Sequence, residues 1–503
     1  MSALRKLAGQ TAIYGLSSIV ARFLNFLLTP LYTSKAVFAP EDYGVITYLL
    51  GWAAFLNIVL SFGMETTYFR YSTKLPQPPA PSPGEKGGNA LSGATVYGTT
   101  FHIVALIALV FTTVTALFAE PIASGMGYPA FTTSVLMLAV TLGLDAITAI
   151  PMARLRQENR PWRFVFVNAM NVGVNVVLSL FFLAYCMPKY NAGESNALID
   201  AVYDPSFGVG YVFLAFLVAS VVKALLLLPL WPSITTRDKA LVRPMLVFAL
   251  PLVFAGLAGM VNEMGSRVLL KYLLPAATAD AQLGVFGACY KLAVLITLFI
   301  QAFRFAAEPF FFSKAADPKA KETFARINNL FVAFCMSAFL VVMLFLDVFK
   351  WFIPNPAYWD GLRIVPIIML ANVFLGIYYN QSVWYKVTDR TRVAGTIALV
   401  GAVLTLVGNL ALVPWLGYMG SAWATLICYA TMAAISYVWG QKHWPVPYDV
   451  SRVLLYMAGA VVLWWGCEQL VLEGVLNYAL RALALLVFVA VVWKVERPAA
   501  AMG

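Results

Sequence analysis

Two neighbouring apolar runs decide the fold: LVFALPLVFAGLAGMVNEMGSRVLLKYLL at 246–274 and, after a short polar break, GVFGACYKLAVLITLF at 284–299. Four charged side chains interrupt these runs: Glu263, Arg267, Lys271 and Lys291. The first three follow one another at four-residue spacing, so on a helix they share one face. A charge near the centre of a bilayer costs about 3 kcal/mol on insertion scales, so we expect these groups to face a water-filled cavity or a partner. The alternative is a structural Glu263–Arg267 pair that holds the helix to its neighbours.

The composition of the whole chain predicts an all-α, polytopic membrane protein. Of 503 residues, 61% are hydrophobic and only 11% are charged, and long apolar runs alternate with short charged loops. The start of the chain lacks a cleavage site after its apolar stretch, which predicts an uncleaved first span. Runs of about 17 residues or more predict fourteen spans: 10–31, 44–63, 96–118, 129–150, 164–186, 209–231, 244–272, 283–304, 326–348, 363–385, 394–413, 420–439, 453–470 and 477–494.

The distribution of Lys and Arg predicts the orientation of these spans. Alternate loops carry 24 basic residues on the side of the amino terminus and 6 on the opposite side. By the positive-inside rule, both termini are expected in the cytoplasm. The net charge of +11 is therefore a signal of topology, and no nucleic-acid partner is predicted. The five cysteines are scattered through apolar runs, so we expect buried thiols and neither disulfides nor metal ligands.

A weak internal repeat predicts two related halves. Tyr32 matches Tyr272 and Gly44 matches Gly284, with an offset of 240 in both cases. We therefore expect two six-helix bundles that hold a substrate between them, followed by two extra helices. The predicted boundaries are an N-lobe of helices 1–6 at 1–231, a C-lobe of helices 7–12 at 232–443, and helices 13–14 with a cytoplasmic tail at 444–503. Residues 75–93, rich in Pro and Gly, are expected to form a flexible cytoplasmic linker.

Three short runs near the amino terminus resemble one family of membrane proteins. Pro30–Tyr32, Ala39–Gly44 and Ser61–Arg70 resemble the opening of Wzx-type polysaccharide-transport flippases, within the superfamily that includes MATE multidrug exporters and the lipid II flippase MurJ. The resemblance implies translocation of an undecaprenyl-pyrophosphate-linked oligosaccharide across the bacterial inner membrane by alternating access. It implies no cofactor, and it implies membrane lipids, a polysaccharide polymerase and other assembly proteins as partners. Arg22 resembles the first arginine of a MurJ run whose second arginine is absent here, which disfavours lipid II as the cargo.

Four cations inside the predicted spans are the candidate substrate-binding residues: Arg22, Arg267, Lys291 and Lys223. Fixed Arg and Lys side chains can replace the hydration of a pyrophosphate with charge-assisted hydrogen bonds, and Arg does so in a bidentate geometry. Lys223 is the weakest candidate, because its long stem can reach the interface.

Three carboxylates are the candidate counter-charges: Glu263, Asp145 and Glu65. Each either couples transport to a proton or sodium ion or neutralises a nearby cation, and Asp145 is expected to pair with Arg154 or Arg156. The alternative function is a MATE-like, ion-coupled multidrug exporter, although that class prefers an acidic cavity. An enzyme is disfavoured, because the sequence has no large outer loop and no nucleophile–base pair.

Two further groups of polar and aromatic residues have open interpretations. Asn171 and Asn175 either line a sugar path or hold helices together, and the second role is favoured. The aromatic pairs Tyr378–Tyr379 and Trp384–Tyr385 are predicted mainly as interfacial belt residues, with stacking on sugars as the alternative.

Overall fold

The computed structural model describes residues 15, 17, 19, 20, 22–73, 93–314, 317–388, 390, 392–470 and 474–496. Within these ranges every regular element is helical, as predicted. Fourteen longer helices are numbered in chain order: α1 (Pro40–Ser61), α2 (Met64–Thr73), α3 (Gly93–Leu117), α4 (Thr132–Gln157), α5 (Pro161–Ser179), α6 (Gly210–Leu227), α7 (Lys239–Leu273), α8 (Ala276–Lys314), α9 (Ala320–Leu344), α10 (Val365–Gln381), α11 (Arg392–Leu416), α12 (Tyr418–His443), α13 (Val450–Gln469) and α14 (Val475–Glu496).

Thirteen spans in the described part of the chain are long and apolar enough to cross a membrane. They correspond to the second through fourteenth predicted spans, and α1 and α2 together form the first of them, Pro40–Ser72. Residues 10–14, 16, 18 and 21 of the predicted span at 10–31, and all of the predicted linker at 75–93 except Gly93, lie outside the described residues. The protein is therefore a multi-pass membrane protein, and the predicted fold class is confirmed.

A tight turn divides the first of these spans into α1 and α2. Phe62 and Gly63 both have positive φ values, 46° and 62°, in the left-handed region that glycine adopts without strain. Glu65 lies directly after this turn, in the first turn of α2. The break thus sets the direction in which α2 presents Glu65 and Arg70.

The chain divides into two compact units, each with its own packing. Of the described residues, the first unit contains those up to Tyr32, Ala36–Phe38 and Val45–Met264, and the second contains Thr33–Lys35, Ala39–Gly44 and those from Gly265 onward. The predicted boundaries at 232 and 444 remain predictions.

In the first unit, α6 packs on α4 and α5, and α3 packs on α4. One cluster of its core joins the ends of three helices with the buried side chains of Met152, Leu155, Phe164, Val167 and Leu227. Outward positions are also apolar: Leu225 of α6 is 61% exposed and Val247 of α7 is 66% exposed. Such faces are expected where the surrounding solvent is hydrocarbon.

In the second unit, α12 packs on α10 and α11, α10 packs on α8, and α9 packs on α13 and α14. The five cysteines of the chain are free and buried, as predicted from their apolar surroundings. This unit holds four of them: Cys289, Cys335, Cys428 and Cys467.

Candidate functional site

The second unit brings two of the predicted substrate-binding cations together. Arg267 lies on α7, and its Cζ atom is 4.3 Å from the centroid of the Tyr290 ring on α8. Lys291 follows Tyr290 directly, and its ammonium group is near enough to Arg267 for the two positive charges to repel. Tyr290 is buried, and both cations are half-buried. Repulsion between two half-buried cations is relieved most effectively by an anion, so this pair is the candidate site of the second unit.

The neighbouring Lys271 is less available to bind an anion, because it already has a carboxylate partner. Its Nζ atom donates to both carboxylate oxygens of Asp280 on α8, at 2.7 and 2.9 Å. The Lys271 side chain is only 14% exposed, so the pair is well shielded. Lys291 differs, because no carboxylate of the described residues lies within ion-pair distance of its Nζ atom. Lys271 is therefore neutralised by Asp280, whereas Lys291 lies beside the cation Arg267.

Glu263 lies one helical turn before Arg267 on α7 and is exposed. Glu263 belongs to the first unit and Arg267 to the second. Its two predicted roles, neutralising Arg267 or coupling transport to an ion, both remain predictions.

In the first unit, the predicted cation Lys223 and the predicted counter-charge Asp145 form an ion pair. Lys223 on α6 donates from Nζ to Asp145 Oδ1 on α4 at 3.1 Å, and Ser220 Oγ donates to the same oxygen at 3.1 Å. The Lys223 side chain is 16% exposed and that of Asp145 is 34% exposed. Any anion bound by Lys223 would therefore compete with Asp145.

The expectation that Asp145 pairs with Arg154 or Arg156 is wrong. Arg154 instead pairs with Glu158 at 2.6 Å, and Arg156 pairs with Glu65 at 2.5 Å. Asp145 is nine residues from Arg154 and eleven from Arg156 on α4, which is about 13 Å and about 16 Å along the axis, too far for an ion pair. Sequence proximity suggested the pairing, and helical geometry prevents it.

The Glu65–Arg156 pair belongs to a cluster of cations and aromatic rings at one end of the first unit. The Arg156 guanidinium lies 5.3 Å from the ring of Phe69 on α2, and that of Arg154 lies 4.6 Å from the ring of Tyr97 on α3. Arg70 lies 3.9 Å from the ring of Phe248 on α7. These contacts join α2, α3, α4 and α7, so Glu65 has a structural partner in addition to its predicted role in ion coupling.

Arg22 is an exposed residue of a helical stretch at 22–26. One turn later, Asn25 accepts a hydrogen bond through Oδ1 from Asn175 Nδ2 on α5 at 2.9 Å. Asn175 is only 3% exposed, so this contact fits the favoured interpretation of Asn175 as a polar link between helices. It holds the helix of Arg22 against α5.

The aromatic residues near the end of α10 do not form an interfacial belt, which corrects the main expectation for them. Tyr378, Trp384 and Tyr385 are all less than 9% exposed. Trp384 Nε1 donates to the backbone oxygen of Ser436 at 3.2 Å, and Tyr385 donates through its hydroxyl to Tyr378 Oη at 3.3 Å. The Trp384 bond thus links the short helix Val383–Val387 to α12, and the Tyr385 bond links it to α10.

Sequence reasoning missed a second cation–aromatic site beside these residues. The Arg304 guanidinium of α8 lies 4.2 Å from the Tyr379 ring, and both residues line a small pocket with Asn380. Both amide atoms of the buried Asn380 side chain lack a hydrogen-bond partner. The signal in the sequence was the polar Asn380–Gln381 pair inside an apolar run.

A buried polar network links three helices of the second unit. Asn409 Nδ2 of α11 donates to Ser266 Oγ of α7 at 3.2 Å, and Ser421 Oγ of α12 donates to Asn409 Oδ1 at 2.5 Å. All three side chains are less than 9% exposed. Ser266 directly precedes Arg267, so the network fixes the part of α7 that carries Arg267. No group of three metal-ligating side chains is found in the described ranges.

Solved structures of membrane transporters share this fold. The lipid II flippase MurJ, in an inward closed conformation, superposes with a TM-score of 0.69 at 12% identity, covering 96% of this chain and 98% of that chain. An inward-facing multidrug resistance MATE family transporter of the MOP superfamily gives 0.61 at 14% identity, covering 89% and 99%. An outward-facing structure of such a MATE transporter gives 0.58 at 14% identity, covering 91% and 96%.

No protein-family model and no curated protein sequence matches the chain. The protein therefore has the fold that MurJ and the MATE transporters share. At these identities the likeness concerns the fold, and function has to be argued from the residues.

Proposed function

We propose that this protein is a flippase that moves an undecaprenyl-pyrophosphate-linked oligosaccharide from the inner to the outer leaflet of the bacterial inner membrane. The oligosaccharide would be a repeat unit of O-antigen, capsule or exopolysaccharide. Movement would proceed by alternating access through a cationic central cavity, with both termini in the cytoplasm. The shared fold with MurJ and the resemblance of residues 30–72 to Wzx-type flippases support this proposal.

The observation that carries the proposal is the juxtaposition of Arg267 and Lys291. A pyrophosphate is anionic and strongly hydrated, so a path through hydrocarbon must supply replacement donors and positive charge. Arg267 offers a planar guanidinium that is oriented by the Tyr290 ring. Lys291 offers a second positive charge beside it. In the proposal Arg267 and Lys291 bind the pyrophosphate, and Arg22 and Lys223 of the first unit are further substrate-binding residues.

A MATE-like, ion-coupled exporter of drugs is the second candidate. Its support is the likeness to MATE transporters, which covers about as much of the chain as the likeness to MurJ. The ion pair Asp145–Lys223 also gives a carboxylate whose protonation would release a cation. The Arg267–Lys291 pair favours the flippase, because two adjacent positive charges repel a cationic drug.

The deciding experiment is complementation of a flippase-deficient polysaccharide strain. The wild-type chain is compared with Arg22→Ala, Arg267→Ala and Lys291→Ala, and membrane abundance is measured for each. Lys239→Ala is the matched control, because Lys239 is an exposed cation in the first turn of α7. We expect wild type and the control to restore surface polysaccharide, and the three variants to fail at normal abundance.

Two other outcomes have distinct meanings. If wild type works and all three variants work equally well, the site assignment is wrong although the flippase function stands. If wild type fails with several repeat-unit chemistries and instead lowers the accumulation of cationic drugs, the exporter function replaces the flippase function.

A further inference from the structure

The tight turn between α4 and α5 in the first unit carries more positive than negative charge. Asn159 reverses the chain there with a positive φ of 54°. Four arginines lie on this turn and on the helix ends beside it: Arg154, Arg156, Arg160 and Arg163. Two carboxylates of the described residues, Glu158 and Glu65, lie within ion-pair distance of these arginines. The turn therefore has an excess of two positive charges.

This excess belongs to Arg160 and Arg163. Glu158 is shared, because Arg154 Nε lies 2.6 Å from its Oε1 atom and Arg160 Nε lies 3.2 Å from its Oε2 atom. An arginine has five N–H donors, so Arg160, with a side chain that is 54% exposed, retains donors that Glu158 does not use. Arg163 is half-buried, and no carboxylate in the part of the chain that the structure describes lies within ion-pair distance of its guanidinium. Arg163 can therefore bind an anion without breaking an ion pair.

An exposed apolar stripe begins beside these two arginines. It follows one face of α5 into the membrane span and consists of Trp162, Phe166, Met170 and Val177. Trp162 is 74% exposed, and a tryptophan at the end of a span is typical of the level of lipid headgroups. Because Arg160 and Arg163 lie on either side of Trp162 in the sequence, their guanidinium groups lie near the level of lipid phosphates.

A second exposed tryptophan lies at the same end of the first unit. Leu227 of α6 and Leu230, in the short turn that follows, pack with Phe164 of α5 in one buried cluster. The chain then continues into Trp231 and Ile234, which are 37% and 70% exposed. Two exposed tryptophans beside one cluster indicate that this end of α5 and α6 lies at the membrane surface.

We propose that Arg160, Trp162 and Arg163 bind the headgroup of an anionic phospholipid in the cytoplasmic leaflet, such as phosphatidylglycerol. Both guanidinium groups donate to the phosphodiester, and the acyl chains follow the apolar stripe of α5. A choline headgroup would bring a further positive charge to a turn that already has an excess, so a lipid of net negative charge is preferred. The positive-inside rule places this turn on the cytoplasmic side. The proposal concerns the lipids around the protein and does not depend on the transported substrate.

The test is native mass spectrometry of the purified full chain in detergent, titrated with dioleoyl phosphatidylglycerol or dioleoyl phosphatidylcholine. The quantity compared is the Kd of the first bound lipid, which we expect to be about tenfold lower for the glycerol lipid. An arginine near the membrane surface contributes about a factor of five, so Arg163→Gln should raise the Kd of the glycerol lipid about fivefold and that of the choline lipid less. Arg163→Lys keeps the charge and should retain most of the binding. Trp162→Ala should weaken both lipids, because the ring contacts the lipid independently of headgroup charge.

Arg390→Gln is the matched control. Arg390 is also an exposed arginine on the side predicted to be cytoplasmic, but it lies between α10 and α11 in the second unit, in a loop without a tryptophan. Size-exclusion chromatography checks that every variant is folded. Equal binding of the two lipids by wild type, or an equal effect of Arg163→Gln and Arg390→Gln on the glycerol lipid, would overturn the proposal.

Discussion

Gly44 and Gly284, which the internal repeat aligns with each other, lie in backbone contact in the second unit. A Cβ atom on Gly284 would lie 2.9 Å from the Gly44 nitrogen and would overlap the backbone oxygen of Pro40. A Cβ atom on Gly44 would overlap the backbone oxygen of Asp280. Only glycine permits this approach of residues 40–44, the part of α1 in the second unit, to α8. The same contact positions Asp280, the partner of Lys271.

We expect Gly44→Ala and Gly284→Ala each to destabilise the protein by about 3 kcal/mol or more, because backbone atoms must move apart to admit a methyl group. Gly395→Ala is the control, since a Cβ atom there meets no atom within 4 Å. Abundance in membranes and the apparent Tm in detergent are the measurements. Normal Tm values for both glycine variants would contradict the close backbone contact of Gly44 and Gly284.

The ion pair between Asp145 and Lys223 gives a second prediction. We expect Asp145→Asn to destabilise the protein by about 2 kcal/mol, because Lys223 keeps its charge without a partner. The cost is below that of a fully buried pair because Asp145 is 34% exposed. The double variant Asp145→Asn/Lys223→Met should regain most of the loss.

Apparent Tm values of the single and double variants measure this coupling. If the double variant is as unstable as the sum of Asp145→Asn and Lys223→Met, the two residues do not interact. Transport by the stable double variant then separates two roles of the pair. Loss of transport at normal Tm indicates ion coupling or substrate binding, whereas normal transport indicates that the pair is structural.

The fold class was predictable from the sequence because each membrane span is defined by the residues within it. Apolar runs long enough to span a bilayer define helices such as α8 and α12 without knowledge of their neighbours. Which side chains pair between two helices cannot be determined from either segment alone. Asp145 could be recognised as a counter-charge, but its partner Lys223 is 78 residues away, and the assignment to Arg154 or Arg156 failed. Such contacts depend on how each of the two helices is rotated about its own axis.

The candidate site, too, could be predicted from the sequence only in part. Arg267 and Lys291 could be selected as candidate binding residues because a charge in an apolar run is costly unless it faces a cavity or a partner. The contact of Tyr290 with Arg267 could not be predicted from the sequence. Because 14% of the chain is aromatic, nothing distinguishes this ring from the others.

The contact between Arg267 and Tyr290 gives a third prediction. Tyr290→Phe keeps a ring beneath the guanidinium and should retain nearly normal flipping, whereas Tyr290→Leu removes the ring. A cation–π contact is worth about 1 kcal/mol when partly shielded, so we expect Tyr290→Leu to lower the rate of flipping about fivefold. The rate is measured as surface polysaccharide formed after a pulse of precursor sugar, at matched membrane abundance. Equal rates for the two variants would show that the ring does not orient Arg267.

The predicted orientation is tested by cysteine accessibility, because the five native thiols are buried and should give little background. Glu194 and Arg237 are exposed residues in the loops on either side of α6. A membrane-impermeant maleimide added to spheroplasts should label Glu194→Cys, whereas Arg237→Cys should be labelled only after permeabilisation. Wild type is the control and should react in neither case. The reverse pattern would place both termini outside the cytoplasm.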